Sequence, residues 1–416
     1  MHGRRRGSRR GLRPLAPLPL PHLRTPMRAR LALPTAACSA VLLALTGCVA
    51  NGGGTDATHA SLTVDSSATE CAVSAAEAPA GTVRFRVTNS GDKVTEFYLL
   101  ADDGLKIVGE AENIGPGLSR DLVVELEPGK YFTACKPGMT GDGVGKAAFT
   151  VTESGAAGEI DADLAARIDT ANSGYAAYVR DVVAELATGT DAFAAAYVAG
   201  DDDLARSLYA PTRAHWERVE TIAESFGDLD PKLDLREADL EEGQEWTGWH
   251  AIEKDLWRAE AEAGFQAYDA GKRAHLAGLL VADTQTLKGK VADLSFTLSQ
   301  QTNGAIGLLE EVASGKVTGE EEFWSHTDLW DFQANVDGAK VLYAGVRDIL
   351  VEKDPKLARQ LDTEFGALQA LLDEHRVDDG FALYTELSGA DIRALADQVN
   401  ALGEPLNRLT ATLVIS

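Results

Sequence analysis

The chain has 416 residues, and at about 150 residues per domain that length points to two or three domains. Its hydrophobic content of 45% is that of a soluble globular protein, and its net charge of −25 repels phosphate backbones, which argues against nucleic acid as a partner. Nine of its 39 Lys and Arg lie in residues 1–47, which hold no acid; the remainder carries 30 basic against 64 acidic residues, a net of −34.

Those first 47 residues read as a leader. Met27-Arg28-Ala29-Arg30 is a short basic segment, and residues 31–45 form an apolar run too short to span a bilayer comfortably. The run closes on Leu45-Thr46-Gly47-Cys48, a lipobox whose cysteine would take a diacylglycerol before cleavage. Translation from Met1 would add an Arg- and Pro-rich extension with a faint twin-arginine pattern at Arg9-Arg10; Met27 is the alternative start. No further apolar run of this kind follows, so the expected protein is extracytoplasmic and held to the membrane by lipid. Residues 48–59, with Gly52-Gly53-Gly54, form a flexible tether.

From 60 to 153 the hydrophobic period is two. In Thr82-Val83-Arg84-Phe85-Arg86-Val87 the residues Val83, Phe85 and Val87 face one side, and similar short runs occur at 96–101, 105–108, 121–126, 130–134 and 146–151. Turn residues such as Asn89-Ser90-Gly91-Asp92 and Glu127-Pro128-Gly129 separate them. About seven strands predict a β-sandwich. Besides Cys38 in the leader and Cys48, the chain has only Cys71 and Cys135, one pair in an oxidising compartment.

Near Gly155-Ala156-Ala157-Gly158 the period changes to 3.6 and stays so to residue 416. Ile168, Tyr175, Tyr178, Val179, Val182, Val183 and Leu186 make one apolar stripe, and 291–298 and 336–350 read as further helical stretches. About eight helices, as two four-helix halves, are expected over 158–416. Three clusters there have metal-ligand chemistry. Glu217 and Glu220 are three apart, on one face if helical, where they repel unless a cation or base lies between them. Phe226-Gly227-Asp228-Leu229-Asp230-Pro231-Lys232-Leu233-Asp234 is a loop rich in oxygen donors. Gly248-Trp249-His250-Ala251-Ile252-Glu253-Lys254 puts an imidazole and a carboxylate three apart, and His326-Thr327-Asp328-Leu329-Trp330-Asp331 adds two aspartates.

The segment 209–257, together with Glu112-Asn113-Ile114-Gly115-Pro116-Gly117 and Glu127-Pro128-Gly129-Lys130-Tyr131, resembles the EfeO-type iron-uptake lipoproteins, which join a cupredoxin-like domain to an imelysin-type peptidase-like domain. The resemblance implies a multidomain protein: a cupredoxin-like β-sandwich at 60–153 followed by an all-α double helical bundle at 158–416. It implies a metal site built from His250, Glu253, Glu217, Glu220 and Asp234, with Asp328 or Asp331. It also implies binding and delivery of iron to a membrane permease beside a haem peroxidase, rather than catalysis.

A cupredoxin fold suggests copper, but a blue-copper centre needs two His and a Cys with a weak axial Met, and no His lies between Cys71 and Ser154. Cys135-Lys136-Pro137-Gly138-Met139 keeps the loop without the imidazole. Cys71 and Cys135, with Glu96, Glu112 and Met139, could form a second metal site in the β-domain. The competing reading, favoured in an oxidising compartment, is a Cys71–Cys135 disulfide, and a bonded sulfur is no thiolate ligand. In the helical domain, several carboxylates and one imidazole suit iron, Fe3+ or Fe2+, with the trivalent ion gaining most from the charge. A metal-dependent peptidase of imelysin type and a surface glycan-binding module are the competing functions. The zinc-peptidase pattern His-Glu-x-x-His does not occur in the chain.

Overall fold

The computed structural model describes residues 59–139, 143–153, 161–226, 229–240 and 243–414. The leader with Cys48, the tether up to residue 58 and the domain junction at 154–160 lie outside them.

Nine strands of the described residues form two facing sheets. The first pairs β2 (Cys71–Val73), β1 (His59–Ser66), β4 (Gly81–Asn89) and β7 (Ser119–Leu126) in that order. The second pairs β3 (Glu77–Pro79), β9 (Val144–Thr152), β8 (Gly129–Cys135), β5 (Thr95–Leu100) and β6 (Ile107–Ile114). The alternation in β4 does what period two requires: Val83, Phe85 and Val87 are fully buried. Phe85 meets Phe97 and Phe149 of the opposite sheet at ring-centroid distances of 5.3 and 5.5 Å, so aromatic contacts lock the layers together. The expected count of about seven strands is exceeded by the short β2 and β3 and by β1, whose buried side is Leu62, Val64 and Ser66.

Cys71 on β2 and Cys135 at the end of β8 are joined as a disulfide, which staples one sheet to the other. The thiolate metal site is thereby replaced by a cross-link. Glu96 on β5 is buried and accepts a hydrogen bond from the Tyr98 hydroxyl; Glu112 on β6 is buried, and Met139 is 38% exposed in the loop after Cys135. Among the described residues, no close group of three ligating side chains includes any of these five.

The helical domain has eleven helices among the described residues: α1 (Ala162–Ala199), α2 (Asp202–Glu217), α3 (Glu220–Glu224), α4 (Asp230–Leu233), α5 (Gly248–Leu256), α6 (Ala270–Val291), α7 (Leu298–Ser314), α8 (Asp328–Lys353), α9 (Pro355–Asp373), α10 (Gly389–Leu406) and α11 (Leu409–Val414). Helices α1, α2 and α6 pack together, as do α7 to α10, and α8 reaches across to α1 and α2, so both halves feed one hydrophobic core. Two expectations change. There are more helices than eight, because short pieces build the site, and 291–298 is not a helix. There α6 stops at Val291, and Thr297 with Gln300 forms a capping box that starts α7 afresh. α1 is long and apolar enough by composition to cross a bilayer, but half of that window is buried inside the protein, as a core helix requires.

The β-domain docks on α7. β7 and β6 are the outermost strands of their sheets at this side, and an uncovered edge leaves backbone groups unpaired. α7 satisfies some of them: the Asn303 amide donates to Val123 O at 2.9 Å, and Glu125 N donates to Ser299 Oγ at 3.0 Å. An ion pair between Arg120 and Glu310 adds to the seam.

Candidate metal centre

Four chain segments converge between α2, α5 and α8. α2 ends at Glu217, and Val219 N donates to Trp216 O at 2.9 Å, a tight turn that reorients the chain before α3 begins at Glu220. Glu217 and Glu220 therefore do not share one continuous helix, as the spacing suggested, yet the turn still points both carboxylates inward. Gly338 of α8 lets this turn approach, since a Cβ there would stand 2.6 Å from Arg218 O. Asp234 caps the end of α4. Gly248 opens α5 at φ 84, where a side chain would collide with the Leu233 carbonyl, so only glycine allows α5 to start against α4. That contact sets Asp234 beside His250. The loop 320–327 then supplies Glu321 and Glu322 before α8.

Three overlapping groups of ligating atoms result, each with all atoms within 4.8 Å of one another: Asp234, His250 and Glu321; His250, Glu253 and Glu322; and Glu217, Glu220, Asp234 and Glu321. All of these residues are buried. His250 Nδ1 lies 3.1 Å from Glu253 Oε2, while Nε2 lies 3.5 Å from Asp234 Oδ1 and 3.6 Å from Glu321 Oε1 without a hydrogen bond. The other Glu253 oxygen accepts the Trp324 and Ser325 amides at 2.9 and 2.7 Å, tying the 320–327 loop to α5.

Asp328 and Asp331 stand outside these groups. Asp328 turns one oxygen to the Glu322 amide at 3.1 Å, and Asp331 faces Arg213 Nε at 3.6 Å; the second oxygen of Asp328 and Oδ2 of Asp331 are buried without a hydrogen bond. That bond ties Asp328 to the 320–327 loop rather than to the cleft centre.

Side chains that the sequence reading did not single out occupy that centre. Arg213 contacts Asp234, lies 2.7 Å from Glu217, 3.1 Å from Glu321 and 2.5 Å from Glu322, and is wholly buried. Lys316 follows α7 in a single turn (Lys316–Thr318) and lies 2.9 Å from Glu217 and 2.8 Å from Glu220. The Asn335 amide donates to both of those carboxylates at 3.1 and 3.2 Å. The Glu320-Glu321-Glu322 run and the four-residue spacing of Arg213 and Glu217 were visible signals; nothing local marked Lys316.

The electrostatics split the carboxylates. Burial and then Glu220 push Glu217 up to about 8; burial raises Glu220 to about 7, and burial with Glu322 raises Glu253 to about 7. Burial also lifts Asp328 to about 6 and Asp331 well above the ordinary range. Asp234 and Glu321 go the other way. Burial opposes their charge, but Arg213 and His250 hold Asp234 low, and Lys316 with His250 and Arg213 holds Glu321 lower still. Burial and Arg213 both disfavour a proton on His250, yet Glu253, Glu321 and Asp234 raise it well above its usual value. Such a site can exchange protons for a hard cation, because several of its donors are neutral only for want of charge.

Residues 171–409 match the family model for imelysin, and residues 36–146 match that for a cupredoxin-like domain. The chain is 38% identical over 347 residues to the iron uptake system component EfeO of Yersinia pestis, covering 83% of this chain and 89% of that protein. The Yersinia pseudotuberculosis serotype I protein of the same name is 37% identical over 380 residues, covering 91% and 97%. That of Escherichia coli K12 is 38% identical over 337 residues, covering 80% and 86%. The chain belongs to the EfeO family, with its cupredoxin-like β-sandwich ahead of its imelysin domain.

Proposed function

We propose that this protein is a lipid-anchored extracytoplasmic iron-binding component of an uptake system, which passes iron to a membrane permease working beside a haem peroxidase. The observation that carries the reading is the overlap of the ligand groups: Asp234 and Glu321 belong both to the His250 group and to the four-carboxylate group. A buried imidazole nitrogen 3.5 and 3.6 Å from two ionised carboxylates, which keep it protonated in the absence of an ion, is an arrangement in which a cation can take the place of that proton. Its oxygen-rich donors favour iron, and the curated relatives are named as iron uptake components.

Holding fits better than hydrolysis. A general base must be free to take a proton from water, whereas Glu253 is committed to two amides and an imidazole. Lipid at Cys48 would keep the cleft near the permease.

Metal analysis of the full chain, wild type beside His250→Ala, tests the reading. The wild type should retain iron stoichiometrically through gel filtration and the variant should lose it. A wild type that binds no iron, or one that cleaves peptides in a chelator-sensitive way, would overturn the proposal.

A further inference from the structure

Lys316 is placed as an ion would be. Its Nζ meets Glu217 Oε2 at 2.9 Å and both oxygens of Glu220 at 3.0 and 2.8 Å, two members of the group formed by Glu217, Glu220, Asp234 and Glu321. Asn335 completes the shell from the other side by donating to both carboxylates. Arg213, the other buried cation here, is ringed by five carboxylates through a planar fork and sits within α2. Lys316 differs: it has a flexible stem, a point charge, and a base in a one-turn helix between Gly315 and Gly319. Of the two, Lys316 is the one that can leave.

We propose that Lys316 is a resident counter-cation that yields its place to the incoming ion, and so sets how tightly an ion must bind before the cleft accepts it. The proposal rests on the cation-binding reading above. The physical argument is competition. A tethered ammonium acts at a high effective concentration, so a weakly held ion cannot displace it. The Coulomb return from the same carboxylates grows with ion charge, while magnesium- and calcium-like ions gain less and keep much of their hydration. Displacing Lys316 costs every ion the same, so weakly held divalent ions fall below a threshold that a trivalent ion still clears. Its departure also frees the turn beneath it, which leads directly into the loop bearing Glu321 and Glu322.

The test compares the full-length wild type with Lys316→Met, which keeps the stem without the charge, and Lys316→Arg, which keeps the charge. Binding of Mn2+ and of Fe3+ supplied as a weak chelate is titrated for each. Lys316→Met should bind both Mn2+ and Fe3+ about tenfold or more tightly and by similar factors, because both must displace the same ammonium, while Lys316→Arg binds neither more tightly than the wild type. Unchanged affinity for both ions, or tightening of one without the other, would overturn the proposal. Should Lys316→Met fail to fold, amide exchange of 315–319 in the wild type decides: it should quicken on Fe3+ loading, and unchanged exchange rejects displacement. A wild type that binds no iron overturns the iron reading instead, whereas an iron-binding wild type whose affinities Lys316→Met leaves unaltered overturns only the role of Lys316.

Discussion

Glu217 shows how one side chain can be poised by its surroundings. Its carboxylate meets Arg213 and Lys316, yet burial and Glu220 together lift it to about 8, and Glu220 and Glu253 stand at about 7. In the unfolded chain these groups titrate near 4.5, so the folded protein holds more protons between about pH 5 and 8. Their stabilising contribution is complete below the unfolded value and is lost as pH rises through the folded values. Asp234 and Glu321, held low, lose theirs only in more acidic solution. The metal-free protein should thus become less stable from about pH 5 to about pH 8, with a shallower decline in Glu217→Gln. Iron affinity should rise over the same interval because the ion replaces protons. Thermal unfolding and iron titration at three pH values check both trends; stability that climbs with pH in this window would contradict them.

At the scale of elements, the site depends on places where helices stop. α2 breaks after Glu217, α4 lasts four residues, and α5 starts at a glycine that no other residue can replace without strain. Gly248→Ala combines a left-handed backbone with a collision against Leu233, which should destabilise the protein by about 2–4 kcal/mol. Because α5 carries His250 and Glu253, iron affinity should fall with it. Gly278→Ala in the middle of α6, where a Cβ meets nothing, serves as the contrast and should be neutral or stabilise by up to about 1 kcal/mol. Melting temperatures of the two variants test this directly, and equal shifts would show that the start of α5 is not under this constraint.

For the whole molecule, the two domains divide the labour. The disulfide between Cys71 and Cys135 closes 64 residues of chain and belongs wholly to the β-sandwich. Replacing both cysteines by serine should cost the sandwich about 4 kcal/mol. Iron binding by the helical domain should persist, since none of the three ligand groups includes a sulfur. Iron analysis of the double variant after gel filtration, with denaturant unfolding alongside, separates these effects. Loss of iron at unchanged helical stability would assign the sulfurs to the metal after all. The seam on α7 gives the sandwich a fixed place, with Asn303 and Ser299 pairing the edge of β7.

Period two in Val83-Arg84-Phe85-Arg86-Val87 and the 3.6-residue stripe from Ile168 to Leu186 determined by themselves a β-domain followed by a helical one. Hydrophobic periodicity is a local property, written in every few residues. The pair His250 and Glu253 was legible for the same reason, being one helical turn apart. Helix ends were less so: the break between Glu217 and Glu220 and the fresh start at Thr297 depend on hydrogen bonds that compete closely with continuing a helix. Only the tertiary structure decided that the two cysteines pair, that Asp328 serves the backbone, and that Arg213 and Lys316 sit among the carboxylates. Lys316 lies 96 residues from Glu220, and nothing in its neighbours along the chain records that distance. A buried charge is placed by the sum of the field around it, and that field exists only once the helices have packed.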